Sequence, residues 1–175
     1  MTTNSHDQSI EKLFELIDDI GIAMMTTRCA DGHLRARAMA TQKRAAGADV
    51  WFVSAADTGK IEEIERDSHV NLSYFEGKRM QWVSVSGVAF VSTDRAKIRE
   101  LYEPDWKAWF GDEGDPRHGT PDDPRIVLVG VNVHKAEFLE VNKPRAVIIY
   151  ELVKGMVTGK QPELGSMHTV DGGER

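Results

Sequence analysis

The chain has 175 residues, of which 41% are apolar and 29% charged, with a net charge of −6; this predicts one globular domain able to fold without metal or disulfide staples. The acidic balance argues against a nucleic-acid-binding domain and requires any anionic ligand to be met by a local cluster of positive groups. Cys29 is the only cysteine, which excludes an internal disulfide, and no Cys/His group has zinc spacing.

In chain order, Ser5 or Asp7 can cap a first helix that carries Ile10, Leu13, Phe14, Ile17 and Ile20 at helical spacing and ends at Gly21. Ile22 to Thr27 reads as a strand, joined through Asp31-Gly32 to a second strand, Leu34 to Thr41. A third strand, Val50 to Ser54, is expected to form a hairpin with the second. Asp57 or Thr58 then caps a short helix, Gly59 to Arg66, with Ile61 and Ile64 on its buried side.

Strands follow at Val70 to Phe75 and Met80 to Ser92, with a turn at Glu76-Gly77-Lys78 between them. A helix from Thr93-Asp94 carries Ile98, Leu101 and Tyr102 and breaks near Pro104. Gly111 to Arg125 reads as an acidic, solvated loop whose Asp112, Glu113, Asp115, Asp122 and Asp123 are spaced too irregularly for a calcium loop. Arg125 to Val133 and Ala136 to Glu140 give one or two further strands. Pro144 opens a last helix running to about Lys154. The expected organisation is one domain over residues 1–158 and a polar, disordered tail over 159–175. A helix, a meander of strands with one inserted helix, then more strands describes a mainly β (α+β) fold, an antiparallel barrel with peripheral helices. Met1 to Ser9 has no apolar signal core, and runs such as Ala146 to Tyr150 are too short to span a bilayer, so a cytoplasmic protein is expected.

Two segments carry candidate chemistry. Alternation along the second strand puts Arg35, Arg37, Met39 and Thr41 on one face, and paired guanidinium groups can grip a phosphate or carboxylate, although a solvated strand face is the plainer reading. In Phe52 to Lys60 a strand ends, a polar loop follows, and a helix opens with Thr58 and Lys60 beside its N-terminal N–H groups. An ordinary capped helix reads equally well there, and no nucleotide P-loop pattern is present. Together the segments place Arg37, Ser54, Thr58 and Lys60 around one phosphate monoester. Trp82 could line a flat ring, with barrel or interface packing as the plainer alternative, and Gly87 permits close backbone approach. Trp106 and Trp109 read as packing residues. His33, His69, His118 and Cys29 have no evident catalytic partner.

The chain resembles the pyridoxamine 5′-phosphate oxidase-like superfamily of FMN-binding split barrels, and is most similar to its bacterial general stress protein branch. The resemblance spans roughly Asp7 to Val141. It rests on the first helix, the Ile22–Thr27 and Leu34–Gln42 strands, the Phe52–Lys60 strand-loop-helix, and the Gln81–Val91 strand with Gly87. It implies an antiparallel split β-barrel, FMN as cofactor and a homodimer with the flavin near the subunit interface. The segment Arg37, Ala38, Met39 through Gln42 is similar to the strand that begins with a phosphate-gripping arginine and runs under the flavin. Val53 and Ser54 match the pair that follows. Gly59 and Lys60 stand where the oxidases have Arg-Lys, so Lys60 keeps the phosphate role and Gly59 loses a charge. Trp82 stands where they reach the flavin with glutamine, and Gln42 where they have lysine. The C-terminal Trp and Arg-x-His cluster of the true oxidases has no counterpart in Gly155 to Arg175.

The expectation is therefore a general stress-type flavoprotein exchanging electrons with a small molecule, and not a pyridoxamine phosphate oxidase. A flavin store or sensor without turnover is one alternative. A split barrel holding haem or a deazaflavin is another. No side chain reads as an acid–base catalyst.

Overall fold

The computed structural model describes residues 3–110 and 114–172. Helix α1 (Thr3–Ile20) precedes strands β1 (Ile22–Arg28), β2 (Leu34–Ala40) and β3 (Val50–Ala55). Helix α2 (Gly59–Arg66) leads into β4 (His69–Glu76) and β5 (Gln81–Ser92). Then come α3 (Arg95–Leu101), a 3-10 turn at Pro104–Trp106, α4 (Lys107–Phe110), β6 (Ile126–Glu140), α5 (Arg145–Thr158) and β7 (Ser166–Asp171). All pairings are antiparallel, in the order β2-β1-β4-β5-β6-β3, with β7 also on β6. This curled sheet is the expected split barrel.

The expected hairpin between β2 and β3 does not form. The two strands lie at opposite ends of the sheet path, and β3 pairs with β6, from Val50 opposite Val131 to Ala55 opposite Ile126. Proximity in sequence suggested the hairpin, but the chain leaves β2 after Ala40 and re-enters the sheet at Val50, on its far edge. Curling then brings the two edges back together. Their seam is one bridge, Thr41 with Phe52, beside a 2.8 Å bond from the Gln42 N–H to the Trp51 carbonyl.

The 15-residue β6 makes this possible, because its first half holds β3 and its second half holds β7 while β5 runs alongside. The β5–β6 register slips at Ser86/Gly87, bending the sheet as a bulge does. A Cβ on Gly87 would sit 2.6 Å from the Asn132 carbonyl oxygen, so the close approach expected at this glycine is present.

Alternation sends one sheet face inward. Leu13 and Ile17 of α1 pack there against Phe52, Leu72, Val85 and Phe138. A second cluster joins Trp51 to Ile98, Leu101 and Trp106, and to Ile126 and Leu128 of β6, under α3 and the 3-10 turn.

Three further expectations change. Helix α1 starts at Thr3, ahead of the expected caps at Ser5 and Asp7. Of the acidic loop, Gly111, Asp112 and Glu113 lie outside the described residues, and the remainder is not uniformly solvated. Asp123 is fully buried, accepting from the Gly119 N–H at 2.8 Å and pairing with Arg125. Burial alone would raise its pKa, but the Arg125 guanidinium and the Gly119 and Arg125 N–H groups hold the carboxyl well below the usual carboxylate range. Finally, α5 continues to Thr158, and the expected disordered tail contains β7. The flanking Gly165 and Gly172, which suggested mobility, lie so close to the Glu140 and Val133 carbonyls that no Cβ would fit. Among the described residues, no helix is long and apolar enough to cross a membrane.

Candidate functional site

Ser54 ends the inward face of β3, and a short loop then leads the chain into α2. Lys60 Nζ donates to Ser54 Oγ at 2.8 Å and lies 3.2 Å from Thr58 Oγ1; the two hydroxyl oxygens are 3.1 Å apart. Thr58 donates its hydroxyl to the Ala55 carbonyl at 2.9 Å and makes no side-chain cap on α2. The first N–H groups of α2, at Gly59 and Lys60, therefore have neither an intrahelical acceptor nor a capping one. An ammonium, two hydroxyls and a helix N-terminus converge on one spot. Burial lowers the Lys60 pKa, repulsion from Arg37 lowers it further, and Asp57 and Glu63 offset part of this. Arg37 thus lies near enough to repel the Lys60 ammonium.

Arg37 reaches the same region from β2, on the inward face expected for it. Its guanidinium is already engaged, however. One nitrogen donates to Thr27 Oγ1 and another pairs with Glu63 Oε2. Glu63 also receives Arg35 at 3.2 Å, the Thr27 hydroxyl at 2.6 Å and the Cys29 thiol at 3.4 Å. Its side chain is only 8% exposed, and it pairs with both the largely covered Arg37 and the solvent-exposed Arg35. Burial opposes its ionisation, but bonds from Thr27, Arg37 and Cys29 bring its pKa below the ordinary value.

Sequence reasoning missed Glu63, Thr27 and Cys29. The available signal was phase: Glu63 falls on the same side of α2 as Lys60 and Ile64, yet acids on short helices usually face water.

The remaining expected site residues are dispersed. Ala38 points to the outer, exposed face of β2, while Met39 is buried in the core. Val53 faces away from Ser54, into the second cluster, so only its backbone borders the site. Gly59 has open space where a Cβ would stand. Gln42 is engaged elsewhere, accepting from Trp106 Nε1 at 2.8 Å and donating to the Ala40 carbonyl at 2.9 Å. It lines a shallow depression with Asp18, Thr41, Lys43 and Arg44. Trp82 lies on the outer sheet face between Phe75 and Leu139, opposite to the face bearing Arg37. Trp106 is buried packing, as expected, whereas Trp109 is exposed.

The fold defines this as an antiparallel split-barrel protein. The model of the family described as pyridoxamine 5′-phosphate oxidase like matches residues 8–163, and the chain belongs to that family. Protein bli-3 of Neurospora crassa is 34% identical over 167 residues, covering 94% of this chain and 80% of that protein. Among solved structures, a candidate general stress protein 26 from Jannaschia sp. superposes with a TM-score of 0.72 at 22% identity, covering 94% of this chain and 99% of the other. A pyridoxamine 5′-phosphate oxidase-related, FMN binding protein from Nostoc punctiforme gives 0.59 at 11% identity, covering 98% and 97%. A general stress FMN/FAD binding protein from Xanthomonas citri gives 0.63 at 23%, covering 79% and 92%. At these identities the structural likenesses establish the fold.

Proposed function

We propose that this protein binds FMN as a homodimer and exchanges electrons with a small-molecule partner. The observation that carries the reading is the cluster of Lys60, Ser54 and Thr58 at the open N-terminus of α2, with Arg37 close by. The donor set fits a phosphate monoester: it offers a lysine ammonium and backbone N–H groups, and the bonds of Lys60 go to hydroxyls and not to a carboxylate. The Nostoc and Xanthomonas proteins, described as FMN binding and FMN/FAD binding, favour a flavin over other phosphates.

In this reading Lys60 and the α2 N–H groups bind the phosphate, while Ser54 and Thr58 orient it. Arg37 supplies a second positive charge and is itself positioned by Glu63 and Thr27. Bound FMN would supply electron transfer, which no side chain of the cluster provides. Trp82 lies on the opposite sheet face, so ring contact falls to it only through a second copy of the chain. Gly155 to Arg175 contains no Trp and no Arg-x-His, which argues against pyridoxamine phosphate oxidation.

FMN and riboflavin titrations, followed by flavin absorbance and fluorescence, test it. FMN should bind more tightly than riboflavin, and Lys60→Ala should narrow that preference. A protein that takes up neither flavin overturns the reading. Stopped-flow mixing of the loaded protein with NADH or NADPH then separates turnover from storage.

A further inference from the structure

Strand β3 ends at Ala55, on a single peptide group that is held from both sides. Its carbonyl, that of Ala55, accepts the Thr58 hydroxyl at 2.9 Å, the Ser54 hydroxyl at 3.2 Å and the Thr58 N–H at 3.3 Å. Its N–H, that of Ala56, donates to the Arg125 carbonyl at 2.8 Å. A peptide group is planar and trans, so its N–H and C=O point opposite ways and turn together. Whatever fixes the Arg125 carbonyl therefore fixes the direction in which the Ala55 carbonyl draws the two hydroxyl hydrogens. With those hydrogens committed, the lone pairs of Ser54 Oγ and Thr58 Oγ1 are left for Lys60 Nζ, at 2.8 Å and 3.2 Å.

Arg125 is itself held firmly. The Asp123 side chain is fully buried. Its Oδ1 accepts the Arg125 backbone N–H at 2.9 Å and Arg125 Nε at 3.1 Å. Its Oδ2 accepts an Arg125 guanidinium nitrogen and the Gly119 N–H, each at 2.8 Å. Arg95 of α3 braces the same backbone, donating from one nitrogen to the Asp123 carbonyl and from another to the Ile126 carbonyl, each at 2.7 Å. The Ile126 N–H returns to the Asp123 carbonyl at 3.1 Å. Burying a carboxylate is costly unless its oxygens are met by donors. The donors met here are chiefly those of Arg125, so Arg125 is what the carboxylate fixes.

We propose that Asp123 is a positioning residue of the phosphate site: by holding Arg125 it orients the Ala55–Ala56 peptide, and through that peptide the hydroxyls that aim Lys60. The inference rests on the phosphate reading of the cluster and adds a residue that does not touch the ligand. The end of the acidic segment then serves the site through its backbone. By linkage, a bound phosphate steadies the Asp123–Arg125 segment in return.

FMN and riboflavin titrations of the full chain test this, with thermal melts alongside. Asp123→Asn keeps the shape of the side chain and removes its charge, so Arg125 is held less firmly. It should cut the preference for FMN over riboflavin about tenfold, the scale of one hydrogen bond to a charged group, while riboflavin affinity stays at the wild-type value. Gly87→Ala, destabilised by its contact with the Asn132 carbonyl and not at the cluster, is the control and should keep the full preference. A merely structural role for Asp123 would weaken both flavins together or neither, and either result overturns the inference while leaving the phosphate reading in place. A wild type that binds FMN no better than riboflavin overturns both. If Asp123→Asn fails to fold, Arg95→Gln, which releases the Asp123 and Ile126 carbonyls, takes its place with the same expected result. Hydrogen exchange gives a readout that needs no flavin: the Ala56 N–H should exchange faster in the variant than in the wild type, and an unchanged rate overturns the step through Arg125.

Discussion

Arg37 and Glu63 face each other across the end of the barrel, strand against helix, with Thr27 bonded to both. Glu63 is buried, so its negative charge is sustained by the donors around it and not by water. Arg37 is correspondingly fixed, not a free arm waiting for a ligand.

Glu63→Gln keeps the shape and removes the charge. It should cost about 1–3 kcal/mol, the penalty for weakening charge-assisted bonds to a buried group. At this chain length each kcal/mol lowers Tm by roughly 2–4 °C. The sign with pH follows from the folded pKa lying below the unfolded one. The contribution is complete above the ordinary glutamate pKa of about 4.3 and is lost as pH falls through the lower folded value. Thermal melts from pH 7 to 3 should therefore show a shallower acid limb for the variant.

Lys60 should impose an alkaline limit on FMN binding. Burial and Arg37 lower its pKa, so the ammonium is lost at a lower pH than for a free lysine, whose pKa is about 10.4. Affinity should fall as pH rises toward that value, and Lys60→Arg should push the fall to higher pH. Below about pH 6 a phosphate monoester dianion takes up a proton and becomes a monoanion, which should weaken binding from the acid side. Titrations at several pH values read both limbs, and an affinity flat from pH 7 to 10.5 contradicts the role of Lys60.

Combining Arg37→Ala with Lys60→Ala removes one charge-assisted phosphate contact, worth about 1.5–3 kcal/mol, and the second positive charge beside it. FMN affinity should drop at least tenfold, with riboflavin affinity nearly unchanged. Retention within a few-fold of wild type would place the phosphate elsewhere.

Gly59→Arg tests the opposite direction. A Cβ at this position would meet nothing within 4 Å, but the arginine stands in the first turn of α2, where a cation opposes the helix dipole unless an anion is bound. The variant should bind FMN more tightly, with the gain in affinity abolished at high salt.

Gly87→Ala should destabilise without touching the site. Its Cβ would meet the Asn132 carbonyl at 2.6 Å and Val131 Cγ1 at 2.9 Å, neither of them the end of a long flexible side chain. A cost of about 1–3 kcal/mol is expected in denaturant unfolding.

Local signals in the sequence were faithful. Ile10 to Ile20 made the first helix, Asp31-Gly32 turned the first hairpin with Gly32 at φ 86°, and Phe52 to Lys60 gave strand, loop and helix. The alternation of Arg35, Arg37 and Met39 also chose the correct face. What failed was pairing at a distance: Val50 finds Val131, and nothing between them in the chain announces it. Polarity misled twice, since Glu63 and Asp123 look solvated in sequence and are buried among donors. The glycines around β7 suggested slack where they permit close contact.

The seam between Thr41 and Phe52 bears on how the protein matures. Arg37 and Ser54 stand on strands that are neighbours along the chain but lie on the two free edges of the sheet, and β3 acquires its place only when β6, far downstream, arrives to pair with it. Such non-local pairing forms slowly and late. A nascent or partly unfolded chain thus has the Lys60 hydroxyl cluster without its arginine, and full ligand affinity becomes a report that the barrel has finished folding.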